Sequence, residues 1–175
     1  MLFRSHAAGR RARRLVEAAR AAVGARVGAD PGTLVFTSGA TESNNLALKG
    51  VLRREPKRRP SLVTTRIEHK SVLDTARALA AEGFAVTYVD VERDGSVDPD
   101  RVAAAIGPDT ALVSVMHVNN ETGVVQDVDA IGRLCRQRGV PLHVDAAQSV
   151  GKVPLDLSSA PIDLCSLTAH KVCGP

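Results

Sequence analysis

Five stretches of this sequence hold side chains that could bind an anion, move a proton or form a covalent bond with a carbonyl compound. They are Ser38-Gly39-Ala40-Thr41-Glu42, Glu68-His69-Lys70, Asn119-Asn120-Glu121-Thr122-Gly123, Asp145-Ala146-Ala147-Gln148 and Thr168-Ala169-His170-Lys171. Gly39 permits a tight turn, and the free N–H groups of a helix starting there suit a phosphate; taken alone, Thr41 is equally an N-cap. Asp145 ends an apolar run, where a carboxylate needs a ligand or a partner, or else caps the next element. His69 in isolation reads first as a satisfied structural histidine. Lys171 follows an apolar run with His170 beside it, where desolvation favours the free amine that a Schiff base requires; the competing reading is an ordinary solvated lysine.

These stretches act together only if the fold brings them to one place. Apolar or alanine residues at helical spacing predict helices over 10–27, 41–53, 70–81, 99–106 and 128–138. Short apolar runs predict strands over 33–37, 61–66, 84–89, 111–118, 141–144 and 162–167, with a charged, proline-bounded loop over 55–60. Strands that alternate with helices need crossover connections, so the expected fold is α/β, a mostly parallel sheet with helices on both faces. In such sheets ligands bind at the carboxyl ends of the strands, where helix N-termini point into the crevice. All five stretches fall at strand ends. A glycine turn, two histidines, a carboxylate, amides and a lysine then share one edge, and that convergence is the argument for a site.

Composition narrows the function classes. The 175 residues are 44% hydrophobic and 24% charged, enough for one ordered domain. Aromatics make up only 2%, so the core is built from Ala, Val, Leu and Ile, as suits buried parallel strands. The net charge of +4 arises from Arg10-Arg11-Ala12-Arg13-Arg14 and Lys57-Arg58-Arg59. Without interleaved aromatics these runs read as solvated surface, and no nucleic acid is expected as partner. Cys135, Cys165 and Cys173 lack metal-ligand spacing, so no metal is expected, and Cys135 and Cys165 read as small core residues. No leader peptide or membrane span is visible, which leads to a soluble cytoplasmic protein as the expectation.

Longer blocks carry a resemblance. Phe36-Thr37-Ser38-Gly39-Ala40-Thr41-Glu42-Ser43-Asn44-Asn45-Leu46-Ala47, Glu68-His69-Lys70-Ser71-Val72-Leu73, Met116-His117-Val118-Asn119-Asn120-Glu121-Thr122-Gly123, His143-Val144-Asp145-Ala146-Ala147-Gln148-Ser149-Val150-Gly151-Lys152 and Ala169-His170-Lys171 with Gly174-Pro175 stand in order along nearly the whole chain. Together they resemble cysteine desulfurases of the iron–sulfur-cluster-assembly type, in the class V aminotransferase family. The resemblance implies the large cofactor-binding domain of the aminotransferase-like fold type I, with pyridoxal 5'-phosphate as cofactor. It implies that Lys171 carries the cofactor and that His69 stacks on its ring and helps move protons. By the same resemblance Asp145 pairs with the ring nitrogen, and Gln148 and Asn120 lie near the phenolic oxygen. Ala40, Thr41, Thr168 and His170 are implied as the phosphate cradle. The implied reaction takes L-cysteine to L-alanine and passes the sulfur to a cysteine persulfide. The implied partners are a second copy of the full-length chain and an iron–sulfur scaffold or sulfur-acceptor protein.

The sequence departs from the family pattern at Met1 to Arg4, at Thr168-Ala169, where serine and glycine are usual, and at Val172-Cys173. Residues 1–175 are expected to be a partial large domain, incomplete at both ends. The small C-terminal domain and the loop with the catalytic cysteine are expected to lie outside it, so that the piece alone is inactive. The resemblance also implies that the strand after the lysine runs antiparallel, between the first strand and the last one present here. Two other readings stand beside this one. One is a selenocysteine lyase or another fold-type-I enzyme, although the Asn119 to Gly123 block argues against an aminotransferase. The other is a non-catalytic short form acting as a binding module.

Overall fold

Helix and strand positions follow from caps and from apolar spacing. The computed structural model describes residues 6–54 and 61–174, so Lys57-Arg58-Arg59 and the expected loop over 55–60 lie outside the described residues. The chain divides into two units.

One unit holds residues 6–36 and 155–159. Its helix α1, Ala7–Val27, starts where the His6 side chain accepts from the Gly9 amide. It ends at Gly28, whose φ of 70° is left-handed. Glycine is needed there twice over, because a Cβ at position 28 would lie 2.0 Å from Asp156 Oδ1. Pro31–Thr33 form one 3-10 turn capped by the Asp30 side chain. Arg20 donates to the Leu34 carbonyl and lies 5.0 Å over the Phe36 ring.

The other unit holds residues 37–154 and 160–174 and contains the sheet. In chain order it consists of α2 (Ala40–Arg54), β1 (Ser61–Thr65), α3 (Lys70–Ala81), β2 (Ala85–Val89), α4 (Pro99–Ala105), β3 (Thr110–Met116), α5 (Val128–Gln137), β4 (Leu142–Asp145) and β5 (Leu164–Ser166). A 3-10 turn at Ala169–Val172 follows. The five strands lie in the order β2-β1-β3-β4-β5, every pair parallel, as the alternation of helices and strands predicts.

All seven residues of β3 are buried, which requires cover on both faces of the sheet. On one face Leu48 and Leu52 of α2 and Val72, Ala76 and Leu79 of α3 pack with Leu62 and Leu112, which are in register. The alternate residues Val63, Val113, Val115 and Val144 are equally buried. On that side α4 and α5 pack together, α4 against β2 and α5 against β4. Gly132 of α5 lets this layer close, since a Cβ there would stand 2.3 Å from the Pro161 carbonyl oxygen.

One expectation fails. Residues 33–37 form no strand: Thr33 ends the 3-10 turn, and 34–37 have no regular structure. Leu34-Val35-Phe36 has the composition of a strand, but a strand exists only by pairing, and no edge among the described residues pairs with it. Val35 and Phe36 are exposed instead. β5 is also short, and among the described strands it pairs with β4 alone.

Candidate active site

Parallel strands put all their carboxyl ends on one edge. Register fixes the neighbours there: Met116 lies opposite Asp145, and Asp145 opposite Ser166. The loops that leave this edge carry Glu68-His69, Asn119-Asn120, Asp145 to Gln148 and Thr168 to Lys171. Helix α2, packed across β3, β4 and β5, brings its N-terminus to the same unit.

Asp145 is the centre of the polar structure. It is 3% exposed, and its carboxylate accepts from the Ala147 amide on Oδ1 at 3.0 Å and from Asn44 Nδ2 on Oδ2 at 2.7 Å. No cationic side chain among the described residues pairs with it. Two residues back on the same strand, His143 is fully buried between Ser114 Oγ and Ser166 Oγ, each at 2.9 Å. Burial pushes its pKa down to about 4, so this imidazole is neutral and lends Asp145 no charge.

His69 caps α3. Its Nδ1 accepts from the Ser71 amide at 3.2 Å and lies 2.8 Å from Ser71 Oγ. Ser71 Oγ in turn lies 2.9 Å from Asn44 Nδ2, so His69 and Asp145 are joined through two buried side chains. Beside them Glu68 is buried at the end of β1, with Oε1 accepting from Thr65 Oγ1 at 2.6 Å and from the Met116 amide at 2.9 Å.

The remaining candidates are held by local structure. Asn119, not Asn120, is the buried residue of its pair. Its carbonyl oxygen accepts from the Glu121 and Thr122 amides, both at 2.9 Å, and its amide donates to the Ile67 carbonyl at 3.0 Å. Asn120 is thereby left exposed on a braced turn. Gln148 Oε1 accepts from Lys152 Nζ at 3.1 Å, which leaves the Gln148 amide hydrogens for another acceptor. Thr168 Oγ1 lies 2.8 Å from His170 Nδ1.

At α2 the Ala40 and Thr41 amides find no acceptor among the described residues, while Glu42 bonds back to the Ser38 amide at 2.6 Å. That bond from Ser38 holds the exposed Glu42 carboxyl below its usual pKa. Lys171 is the exception to expectation. Its side chain is exposed in the 3-10 turn, so the described residues do not build the desolvated position read from the sequence.

Asn44 and Ser71 carried no role in the sequence reading, and neither did Glu68. A signal for Asn44 was present: it repeats at four-residue spacing with Leu48 and Leu52, so a polar side chain sits on the buried stripe of α2. Such a residue needs a buried partner.

The donor set suits pyridoxal phosphate. A buried carboxylate with no cation beside it among the described residues matches a protonated ring nitrogen, and the open amides of α2 and the Thr168–His170 pair are groups that can each hold a phosphate. Asn44 Oδ1, buried without a partner among the described residues, leaves one acceptor unused next to Asp145.

Comparison with known proteins agrees in kind. The family described as Aminotransferase class-V matches residues 4–175. Cysteine desulfurase IscS of Proteus mirabilis is 54% identical over 172 residues, 98% of this chain and 43% of that protein. The protein of the same name from Escherichia coli (strain K12 / DH10B) gives the same identity and coverage, 54% over 172 residues, 98% and 43%. Among solved structures, DndA from Streptomyces lividans superposes with a TM-score of 0.91 at 46% identity, over 98% of this chain and 48% of that one. A structure described as SspA in complex with cysteine gives 0.95 at 41% identity, over 98% and 49%. The chain spans less than half the length of the curated relatives it matches, 43%. Among the described residues no helix is long and apolar enough to cross a membrane.

Proposed function

The chain belongs to the aminotransferase class-V family, and from that premise we propose that it is the pyridoxal-phosphate-binding part of a cysteine desulfurase. The observation that carries the reading is Asp145, a buried carboxylate at a strand end with both oxygens bonded and no cation beside it among the described residues. In this reading Asp145 holds the protonated ring nitrogen of the cofactor, and His69 lies against the ring. Gln148 and Asn120 donate toward its phenolic oxygen. The Ala40 amide, Thr41, Thr168 and His170 hold the phosphate, and Lys171 anchors the group covalently. When bound, pyridoxal phosphate supplies an electron sink that stabilises negative charge at the substrate Cα. Asp145 keeps that sink strong by holding a positive nitrogen in a dry environment.

The substrate is L-cysteine and the product L-alanine, with the sulfur passed to a cysteine thiolate for iron–sulfur cluster assembly. The described cysteines are poor candidates for that thiolate. Burial pushes Cys135 up to about 11 and Cys165 up to about 12, so both stay protonated thiols. Cys173 is exposed but follows Lys171 by only two residues, on the wrong side of the covalent anchor. In this reading the sulfur-accepting cysteine is one that residues 1–175 do not supply. In the working enzyme the chain pairs with a second copy and hands sulfur to a scaffold or acceptor protein. The three free cysteines suit the reducing cytoplasm.

The test is to incubate the protein with pyridoxal phosphate, reduce with borohydride and map the modified residue by mass spectrometry. Label at Lys171, lost in K171A and weakened in D145N, is the expected result. Label spread over surface lysines and unchanged by either substitution overturns the assignment. Cysteine-dependent sulfide release from residues 1–175 alone would sink the claim that this part lacks the sulfur acceptor.

A further inference from the structure

The side chains that hold Asp145 also reach His69, and the path has a direction. A carboxylate can only accept. Asn44 Nδ2 carries two hydrogens, one directed to Asp145 Oδ2 at 2.7 Å and the other to Ser71 Oγ at 2.9 Å. Turning this amide over would set Asn44 Oδ1 against the carboxylate, so Asp145 decides which way Asn44 faces. Because Ser71 Oγ accepts from Asn44, its single hydrogen is free to donate, and His69 Nδ1 stands 2.8 Å away. The Ser71 backbone N–H, which can only donate, meets the same Nδ1 at 3.2 Å. Two donors converge on one ring nitrogen. That nitrogen has no room for a proton, and a neutral imidazole must then carry its hydrogen on Nε2.

We propose that Ser71 is a positioning residue that, together with Asn44, links the Asp145 carboxylate to His69 and holds that ring as the Nε2–H tautomer. Ser71 is suited to the task because it is 8% exposed and sits in the first turn of α3, where its backbone cannot turn away. Asn44 is fully buried, so water does not compete for its two hydrogens. The consequence is chemical. His69 presents a hydrogen-bond donor at its outer nitrogen and keeps its inner nitrogen as the acceptor of the Ser71 hydrogens. The meaning of this for catalysis rests on the pyridoxal-phosphate reading, whereas the tautomer does not.

The experiment is therefore done on cofactor-free protein. Long-range nitrogen–proton NMR at a pH where the imidazoles are neutral reads the tautomer of each histidine, with the His69 signals identified by their loss in H69Q. The expected result is a single Nε2–H pattern for His69. In S71A and in S71C, which keeps the volume but donates poorly, the Nδ1–H population should rise several-fold, and S71T should restore the original pattern. Circular dichroism confirms that each variant is folded. An Nδ1–H or mixed pattern in the unsubstituted protein overturns the proposal, as does an unchanged pattern in both S71A and S71C. Failure of the cofactor reading would appear separately, as loss of the specific Lys171 label.

Discussion

Replacing Glu68 with glutamine isolates the energetics of the carboxyl buried nearest Asp145. Glu68 is 5% exposed, and its Oε2 has no partner among the described residues. Burial pushes its pKa from 4.5 up to about 8; the bonds from Thr65 and Met116 pull it down, and the charge of Asp145 pushes it further up. A carboxyl whose folded pKa is raised stabilises the fold fully below 4.5, and that contribution is lost as pH rises toward about 8. Across about 2.5 pH units inside that window, at about 1.4 kcal/mol per unit, the loss is about 3 kcal/mol. E68Q keeps an acceptor for Thr65 and Met116 but cannot ionise, so it escapes this loss. Urea denaturation of both proteins at about pH 5 and about pH 7.5 reads the effect. The stability of E68Q relative to the unsubstituted protein should grow by about 3 kcal/mol between the two conditions, while all other titrating groups cancel. Curves that stay parallel across that range would mean that Glu68 ionises as freely as in water, and the burial argument would be refuted.

Two further outcomes follow from packing. G132A should cost about 1–3 kcal/mol in the same denaturation assay, because the new methyl meets the Pro161 carbonyl oxygen at 2.3 Å and a backbone oxygen cannot rotate away. G50A, on an open face of α2 with nothing within 4 Å, should instead gain about 0.5–1 kcal/mol; a loss in both would rule out the steric explanation. Brief alkylation of the native protein should label Cys173 and spare Cys135 and Cys165, whose thiols burial keeps protonated. Mass spectrometry before and after adding denaturant checks this, and rapid native labelling of Cys135 would show that α5 opens readily.

The legible part of the fold was the part governed by local rules. The helix over 70–81 was read to the residue, and the others within a few residues, since caps and apolar spacing are written in neighbouring positions. Residues 33–37 went wrong because β composition is only half of a strand. The other half is a partner at the right distance, and that partner is not among the described residues. At the site, reading the strand ends was sufficient to collect Asp145, His69, Thr168 and the start of α2 on one edge. It did not distinguish the buried Asn119 from the exposed Asn120, because two identical amides in a turn differ only in direction.

By itself the sequence determined the alternation of elements, the parallel sheet that this alternation demands, and the identity of the groups at the strand ends. Tertiary structure decided which of those groups lack a partner and which are joined. Asn44 and Asp145 are 101 residues apart in the chain yet share a 2.7 Å bond. Spacing on α2 can show that Asn44 faces inward. Only the packing of that helix across β4 and β5 puts a carboxylate in front of it, and hydrogen bonds are satisfied by position in space, not by position along the chain.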